Sequence, residues 1–206
     1  MTRRARVVGV LLAAGLGTRF EGGNKLLARV SPRSERDENA EPVVRLAARN
    51  LVGSPAEAPV AVLGHGYNRV ASALDPVGIA SVHNPNYEDG QATSVARGVA
   101  WARDHEADAA LFALGDMPWV AAETYRTVID RWRASGADIV VPEHAGKRGN
   151  PVLFDAVHFD ALESVSGDVG GRELIARNPV ERVAVDDPGI HRDVDRAADL
   201  DGGVEE

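Results

Sequence analysis

The chain has 206 residues, of which 44% are hydrophobic and 26% are charged, and its formal net charge is −8. This composition is typical of a soluble globular protein, and the acidic balance argues against nucleic acid as a partner, since phosphate backbones bind basic surfaces. The absence of cysteine excludes disulfides, thiolate nucleophiles and cysteine metal sites. We expect a single domain over residues 1–206, cytoplasmic and without a membrane partner.

Short apolar segments alternate with amphipathic segments from the start of the chain onward. The apolar segments are bounded by Gly, Pro, Asp or His, as expected for parallel strands that are buried on both faces. We predict strands at Val7–Leu12, Val60–Leu63, Ile79–Val82, Ala109–Leu114 and Ile139–Val141, and helices at Val43–Leu51, Tyr67–Leu74, Thr93–Arg103 and Ala121–Ala134. The βαβα order predicts an α/β fold in which helices cover both faces of one mostly parallel sheet and ligands bind beyond the carboxyl ends of the strands.

Two polar segments stand outside this alternation. The segment SPRSERDENAEP, from Ser31 to Pro42, is predicted to be a mobile loop or insertion. The acidic stretch DGGVEE, residues 201–206, is predicted to be a flexible tail. Neither segment indicates a second domain.

Only two of the 23 basic residues are lysines, and both Lys25 and Lys147 lie in glycine-rich loops. Lys25 ends the stretch LLAAGLGTRFEGGNK, which overlaps the end of the first predicted strand. Glycines let backbone N–H groups approach phosphates, and an ammonium is a compact charge that fits among phosphate oxygens. Phe20 stands where a dinucleotide fingerprint needs glycine, and Leu26 stands where a P-loop needs Ser or Thr. We therefore predict a phosphate-binding loop of neither kind; the alternative is that an arginine-rich composition left two lysines by chance.

Asp116 directly follows a predicted strand, in the tetrad GDMP. A carboxylate at the carboxyl edge of the sheet suits Mg²⁺, which usually takes one or two carboxylates together with phosphate oxygens and water. The alternative is a turn aspartate that caps the helix beginning near Ala121.

Several blocks of the sequence follow one another in a familiar order. An opening signature of the form LAAGxGxR is followed by a nearby lysine. The blocks are LAAGLGTR with Lys25, GQATSVARG (Gly90–Gly98), GDMP (Gly115–Pro118), KRGNPVLF (Lys147–Phe154), GDVGGREL (Gly167–Leu174) and DVDRAADL (Asp193–Leu200). In these blocks the chain resembles the MobA-like nucleotidyltransferases and, among them, the molybdenum cofactor cytidylyltransferases.

The resemblance implies a three-layer Rossmann-like fold shared with nucleotide-sugar pyrophosphorylases. It implies transfer of a nucleoside monophosphate from a nucleoside triphosphate to a phosphorylated small molecule, with release of pyrophosphate. The implied acceptor is the pterin molybdopterin, the implied cofactor is Mg²⁺, and a molybdenum hydroxylase apoenzyme is a further implied partner. Cytidylyltransferases tend to carry LAAG where guanylyl relatives carry LAGG, so Ala14 favours CTP over GTP.

The same resemblance assigns roles to individual residues. The catalytic residues are expected to be Arg19, Lys25 and Asp116, with Mg²⁺ held by Asp116 and Asp195; whether Asp193 shares the metal stays open. The nucleotide-binding set is Leu12, Ala13, Ala14, Gly15, Gly17, Arg19, Lys25, Gly90, Ser94 and Asp116, and the acceptor-binding set is Gly149, Asn150, Asp168 and Arg172.

Two of these residues lie where a helix is expected to begin, so they could also act as helix caps. Ser94 either contacts the ligand or caps a helix that begins at Val95. Asp168 is expected at the N-cap of a helix that carries Arg172 in its first turn, where Arg172 either pairs with the acceptor phosphate or forms a surface salt bridge.

Departures from the family pattern leave the acceptor open. They are the polar insertion after Lys25, Phe20 with Glu21 where the family often has Met-Gly, and Arg196 in place of a common threonine. The alternatives are a guanylyltransferase of the same family, a non-transferase member of the fold that acts as an accessory or maturation protein for a molybdenum hydroxylase or as an oxidoreductase, and a nucleotide-binding regulator that releases no pyrophosphate.

Overall fold

The structure is a computed structural model that describes residues 4–17, 20–21, 23–31, 40–164, 167 and 171–201. The strands are β1 (Val7–Ala13), β2 (Arg29–Val30), β3 (Glu41–Pro42), β4 (Glu57–Leu63), β5 (Ala80–His83), β6 (Ala109–Leu114), β7 (Ile139–His144), β8 (Lys147–Arg148), β9 (Val152–Asp155) and β10 (Glu181–Ala184). The helices are α1 (Val43–Val52), α2 (Tyr67–Leu74), α3 (Gln91–Asp104), α4 (Ala122–Ser135), α5 (Phe159–Ser164) and α6 (Arg172–Arg177).

The main sheet has the strand order β10-β7-β9-β6-β1-β4-β5, and β8 pairs with β7 beside this path. Its strands run parallel except for β9, which is antiparallel to β6 and β7, and β8, which forms a hairpin with β7. β2 and β3 form a separate antiparallel pair. The chain leaves β1 toward β4 and later returns to β6 on the other side, so the carboxyl end of β1 lies at a switch point of the kind where ligands bind.

Helices cover both faces of the sheet and bury its apolar side chains. The helices α1, α2 and α4 pack on one face, and α3, α5 and α6 pack on the other. In β1, Val7 and Leu11 face the first group while Val8 and Val10 face the second, and all four are fully buried. Each such side chain contributes about 1.5–3 kcal/mol by leaving water. The predicted α/β fold with a mostly parallel sheet is confirmed.

The predicted strands and helices are present, with differences at their ends and in the second half of the chain. β4 and α3 begin earlier than predicted, at Glu57 and Gln91. Glu41–Pro42, assigned to the polar loop, instead pair with β2; residues 32–39 of that loop and 202–206 of the predicted tail lie outside the described residues. The strands β8, β9 and β10, of two to four residues each, were not predicted. Within the described part of the chain, every helix is too short or too polar to cross a bilayer.

Candidate active site

The first loop brings Lys25 to the carboxyl edge of the sheet. Gly17 has a φ of +60°, in the left-handed region that favours glycine, and a side chain there would meet the stem of Lys25. Lys25 begins a 3₁₀ turn, Lys25–Leu27, whose cap is Asn24: its side-chain oxygen accepts a hydrogen bond of 3.0 Å from the Leu26 N–H. The Asn24 amide also donates to the His65 carbonyl at 3.4 Å, which ties this turn to the end of β4.

Lys25 bridges two carboxylates at this edge. Its Nζ lies 2.7 Å from Asp116 Oδ2 and 2.7 Å from Asp195 Oδ1, and the lysine side chain is only 14% exposed. Burial lowers the pKa of Lys25, but the charges and hydrogen bonds of the two aspartates outweigh that effect, and the pKa ends above its usual value. Lys25 is therefore protonated at neutral pH.

A third carboxylate belongs to the same group. Oxygens of Asp116, Asp193 and Asp195 all lie within 4.8 Å of one another. The Val194 N–H donates to the Asp116 carbonyl at 2.8 Å, which fixes the segment carrying Asp193 and Asp195 against the end of β6. Partial burial raises the pKa of Asp193, and the charges of its two acidic neighbours add to the rise. The structure thus places Asp193 beside the predicted metal pair.

Asp199 holds the chain at Asp195. Its Oδ2 accepts hydrogen bonds from the Asp195 N–H at 2.9 Å and the Arg196 N–H at 2.6 Å. Sequence reasoning missed this residue, although an acidic side chain three positions beyond Arg196 is the spacing at which a side chain reaches back to the start of a helical turn.

The three carboxylates fit a hard divalent cation. Such ions prefer oxygen ligands, and Mg²⁺ commonly uses one or two carboxylates with the remaining positions left to water and phosphate. Three acidic groups this close repel one another unless a cation lies among them, and Lys25 supplies a positive charge at that place. The donor set therefore suits a divalent metal as well as the ammonium.

Asp116 does not cap α4, so the capping alternative is wrong. The N-cap residue Ala121 makes no side-chain cap, and its N–H donates to Asp187 Oδ2 at 2.9 Å. Buried Asp187 also accepts from the Thr124 hydroxyl and from the Gly189 N–H. Sequence reasoning missed Asp187, whose only signal is the turn tripeptide Asp-Pro-Gly.

The carbonyl groups at the end of β1 are already engaged. The Leu12 carbonyl accepts from the Gly115 N–H at 2.8 Å, and the Ala14 carbonyl accepts from the His65 N–H at 3.2 Å. Ala13 and Ala14 are buried, whereas Gly15 is exposed and has open space around the position of a side chain. Of these residues Gly15, in the loop beyond Ala14, is therefore the one whose backbone is open to a ligand.

Gly90 and Ser94 lie at the start of α3, but Ser94 does not cap it. The helix begins at Gln91 after Gly90, whose φ of +106° suits glycine. Ser94 is therefore inside the first turns and buried, and its hydroxyl accepts from Asn84 Nδ2 at 2.9 Å. Asn84 donates equally to Thr93, so this amide fixes the turn before α3.

Two adjoining cavities lie beyond β1, β6 and β9. The first has a volume of about 100 Å³ and the second about 170 Å³, and they share Asn150, Val152, Arg172 and Ile175. The first is lined mainly by apolar side chains, with Gln91, Asn150 and Arg172 as its polar ones; Arg148 and Gly149 line the second. In the wall of the first cavity the rings of Phe112 and Phe154 meet edge to face, with centroids 6.1 Å apart.

The predicted acceptor residues fall on these cavities in part. Gly149, Asn150 and Arg172 line them, and Leu12 of the nucleotide set reaches the same space. Arg172 is the first residue of α6, but Gly171 occupies the N-cap position predicted for Asp168. Arg19 and Asp168 lie outside the described residues.

Known proteins resemble this chain over nearly its whole length. The nicotine blue oxidoreductase of Paenarthrobacter nicotinovorans is 31% identical over 199 residues, which cover 92% of each chain. The crystal structure of Rv0371c from Mycobacterium tuberculosis H37Rv superposes with a TM-score of 0.79 at 30% identity, over 97% of this chain and 96% of that one. A structure of Rv0371c in complex with manganese gives a TM-score of 0.76 at 27% identity, over 97% and 100% of the two chains.

A family profile agrees with these likenesses. The MobA-like NTP transferase domain matches residues 9–183, a span that begins in β1 and ends in β10. The matched span contains Lys25, Asp116, the turn before α3 and both cavities, while Asp193 and Asp195 follow it. The chain therefore belongs to the MobA-like NTP transferase family, a family of nucleotidyltransferases.

Proposed function

We propose that this protein transfers a nucleoside monophosphate from a nucleoside triphosphate to a phosphorylated small molecule and releases pyrophosphate. The donor that we propose is CTP, the acceptor is molybdopterin, and the metal is Mg²⁺. An oxygen of the acceptor phosphate attacks the α-phosphorus, a new P–O bond forms, and the bond to the β-phosphate breaks so that pyrophosphate leaves with the electron pair. The observation that carries the proposal is the cluster of Lys25 with three aspartates at the end of β1 and β6.

The residues of the first loop suit the phosphates of the donor. The loop beyond Ala14 offers backbone N–H groups, and the Lys25 ammonium lies where a pyrophosphate could meet it. Reactions of this kind depend on positioning and on neutralising charge that spreads over phosphate oxygens, so no nucleophilic side chain is needed. Lys25 would exchange its carboxylate partners for phosphate oxygens, with Arg19 beside it as the family resemblance implies.

Asp116, Asp193 and Asp195 would hold the metal. A bound Mg²⁺ supplies positive charge to the triphosphate and to the leaving pyrophosphate. The manganese complex of Rv0371c supports a divalent ion in a relative that is 27% identical. The support within this chain is the spacing of the three carboxylates.

The linings of the two cavities support a planar heteroaromatic acceptor that carries a phosphate group. A sugar phosphate presents hydroxyl groups on all sides, and each one left without a partner in a buried site costs free energy. The first cavity offers few polar partners and has two phenylalanine rings in its wall. Arg172 and Arg148 line the second cavity, where a guanidinium could bind the acceptor phosphate through two hydrogen bonds. A pterin with a terminal phosphate matches both parts.

The preference for CTP depends on one residue. Ala14 in LAAG is 5% exposed at the end of β1, where a guanylyl relative tends to have glycine. A methyl group there narrows the space beside the backbone on which we expect the base to lie. GTP is the alternative donor.

A second candidate function is oxidation or reduction of a compound such as nicotine blue. It is favoured by the relative named nicotine blue oxidoreductase, which matches 92% of this chain at 31% identity. The first cavity, which is mainly apolar and has two phenylalanine rings in its wall, would accept another aromatic compound as readily as a pterin. The two functions differ in their co-substrate, because a reduction requires an electron donor such as NAD(P)H, an oxidation requires an electron acceptor, and neither releases pyrophosphate.

The experiment is to measure pyrophosphate release with each of the four ribonucleoside triphosphates, with Mg²⁺ or Mn²⁺ and with or without molybdopterin. We expect release with CTP only when the pterin is present, and its loss in Asp116→Asn. Release with GTP instead would replace the donor and keep the chemistry. No release with any triphosphate, while a known cytidylyltransferase is active in the same assay, would contradict the proposal. NAD(P)H consumption with nicotine blue, unaffected by Asp116→Asn, would support the second function.

A further inference from the structure

The three clustered carboxylates come from two separate segments of the chain. Asp116 lies in the loop Gly115–Trp119, which we call the GDMP loop, and Asp193 and Asp195 lie in the segment 187–195, which we call the carboxylate segment. The second segment is mostly irregular and follows β10 with one 3₁₀ turn, Pro188–His191. The spacing of the oxygens therefore depends on how these two segments hold each other.

Backbone contacts join the two segments at both ends. The Val194 N–H donates to the Asp116 carbonyl at 2.8 Å. At the other end Gly189 packs directly on the Trp119 backbone: a side-chain carbon at Gly189 would lie 2.2 Å from the Trp119 oxygen. Asp187 binds the Ala121 N–H just beyond the GDMP loop and so anchors the start of the carboxylate segment.

One side-chain contact lies between these two anchors. The guanidinium carbon of Arg192 lies 4.2 Å from the centroid of the Trp119 ring. Arg192 immediately precedes Asp193, and Trp119 lies three residues after Asp116. A cation above an indole face is attracted by the electron-rich ring, and indole gives the strongest such contact among aromatic side chains. The stack thus joins the two segments next to their carboxylates.

We propose that Arg192 is a positioning residue for the metal site: its stack on Trp119 sets the distance between Asp116 and the pair Asp193 and Asp195. The inference rests on the proposed function only in that the three aspartates bind a divalent cation. An arginine beside an acidic cluster would also weaken cation binding through its own charge. Its position on the tryptophan face, beside three carboxylates, is therefore explained better by geometry than by electrostatics.

The same segment also contacts the acceptor side. The Asn150 N–H donates to the Ile190 carbonyl at 3.2 Å, and a side-chain carbon at Gly149 would lie 2.4 Å from that carbonyl oxygen. Loosening the carboxylate segment should therefore shift both the metal ligands and the turn at Gly149 and Asn150 that lines the second cavity. If Arg192 acted only by binding phosphate, its replacement would not change the affinity for a metal ion measured without nucleotide.

The test is to measure Mn²⁺ binding in the absence of nucleotide. The loss of the free Mn²⁺ signal in electron paramagnetic resonance reports the bound fraction. We compare the unmodified protein with Arg192→Met, Arg192→Lys and Trp119→Leu. The matched control is Arg103→Met, because Arg103 also lies over an aromatic ring, Phe159, at 5.5 Å and belongs to the far end of α3. Near-ultraviolet circular dichroism and melting temperature report whether each variant is folded.

We expect the dissociation constant for Mn²⁺ to rise about three- to thirtyfold in Arg192→Met and in Trp119→Leu, from the size of a cation–π contact. Arg192→Lys, which keeps a cation near the ring without the flat guanidinium, should fall between the unmodified protein and Arg192→Met, and Arg103→Met should stay within about twofold of the unmodified protein. An unchanged or tighter constant in Arg192→Met, or an equal loss in the Lys and Met variants, would overturn the proposal. If the unmodified protein bound no Mn²⁺, the assignment of the metal site would be wrong. If the variants showed the expected order of Mn²⁺ affinities but the protein transferred no nucleotidyl group, only the proposed function would be contradicted.

Discussion

Lys25 and Asp116 stand 91 positions apart in the chain, yet the lysine Nζ lies 2.7 Å from the aspartate Oδ2. The pair joins the glycine-rich loop after β1 to the loop after β6, and both side chains are mostly shielded from water. Removing one partner of such a pair leaves the other as a partly buried charge without compensation. The ammonium is thus held in place before any nucleotide arrives.

Replacing Lys25 should reduce turnover far more than it reduces nucleotide binding. In Lys25→Ala we expect the rate of pyrophosphate release to fall by about 10²–10³, the usual loss when a donor that acts mainly in the transition state is removed. Lys25→Arg should recover only part of the rate, because a guanidinium cannot replace a compact ammonium among three carboxylates. Steady-state kinetics with CTP would give both values.

The control for Lys25 is Arg126→Ala, which removes a positive charge from the exposed surface of α4, where Arg126 pairs with Glu123. Its rate should match that of the unmodified protein. A Lys25→Ala rate within about threefold of the control would contradict the role of Lys25.

Gly15 and Gly17 should respond differently to alanine. Gly15→Ala should leave stability within about 0.5 kcal/mol, because a side chain there meets nothing within 4 Å. Gly17→Ala should destabilise the protein by about 1–2 kcal/mol, because alanine disfavours a φ of +60°. Chemical denaturation measures both changes.

The Gly15→Ala variant should also bind CTP more weakly than the unmodified protein, as calorimetric titration would show. Equal affinity would place the phosphates elsewhere.

Arg172 should affect the acceptor and not the donor. Loss of a charged hydrogen bond in Arg172→Ala should raise the Michaelis constant for the acceptor by about 10- to 100-fold. Arg172→Lys should recover little, because an ammonium cannot form the two-pronged contact. Arg177→Ala, on the same short helix and paired with Glu173, is the control. A rise in the constant for CTP instead would assign Arg172 to the nucleotide.

Tyr125 should govern stability in alkaline solution. Burial raises its pKa well above the usual 10.0, and the nearby charge of Asp187 adds to the rise. The unfolded chain can lose this proton as soon as the pH passes the usual value, while the folded protein keeps it, so stability falls as pH rises beyond that point.

Tyr125→Phe removes this proton and should lose less stability between about pH 9 and about pH 11 than the unmodified protein does. Tyr87→Phe, which removes a hydroxyl from a half-buried position before α3, serves as the comparison. Parallel melting curves for Tyr125→Phe and the unmodified protein across this range would show that Tyr125 does not titrate on unfolding.

The first half of the fold could be predicted because its elements carry strong local patterns. β1 and β6 are continuous apolar runs, and α1 and α2 have a clear apolar stripe. β9 could not be predicted, because it has four residues and is inserted between β6 and β7 in the opposite direction. Its place depends on long-range packing that no local pattern expresses.

The candidate site could be predicted in its parts but not in its geometry. The glycine-rich loop and the aspartate after β6 indicated Lys25 and Asp116, and the family resemblance indicated Asp195. No spacing in the sequence could show that Lys25 would lie between two aspartates, since their approach depends on the tertiary fold. Asp187 was missed for the same reason: its hydrogen bonds reach back 63 and 66 positions to α4.

The hydrogen bond from Val194 to Asp116 joins two segments that are synthesised at different times. The glycine-rich loop and Asp116 leave the ribosome well before the segment that carries Asp193 and Asp195. A nascent chain that has passed β7 already contains β1, β4 and β6, which pair in the fold, yet it lacks two of the three carboxylates. The cluster is therefore completed only when the segment with Asp193 and Asp195 docks, and a chain that stops before this segment has Lys25 and Asp116 without the other two carboxylates.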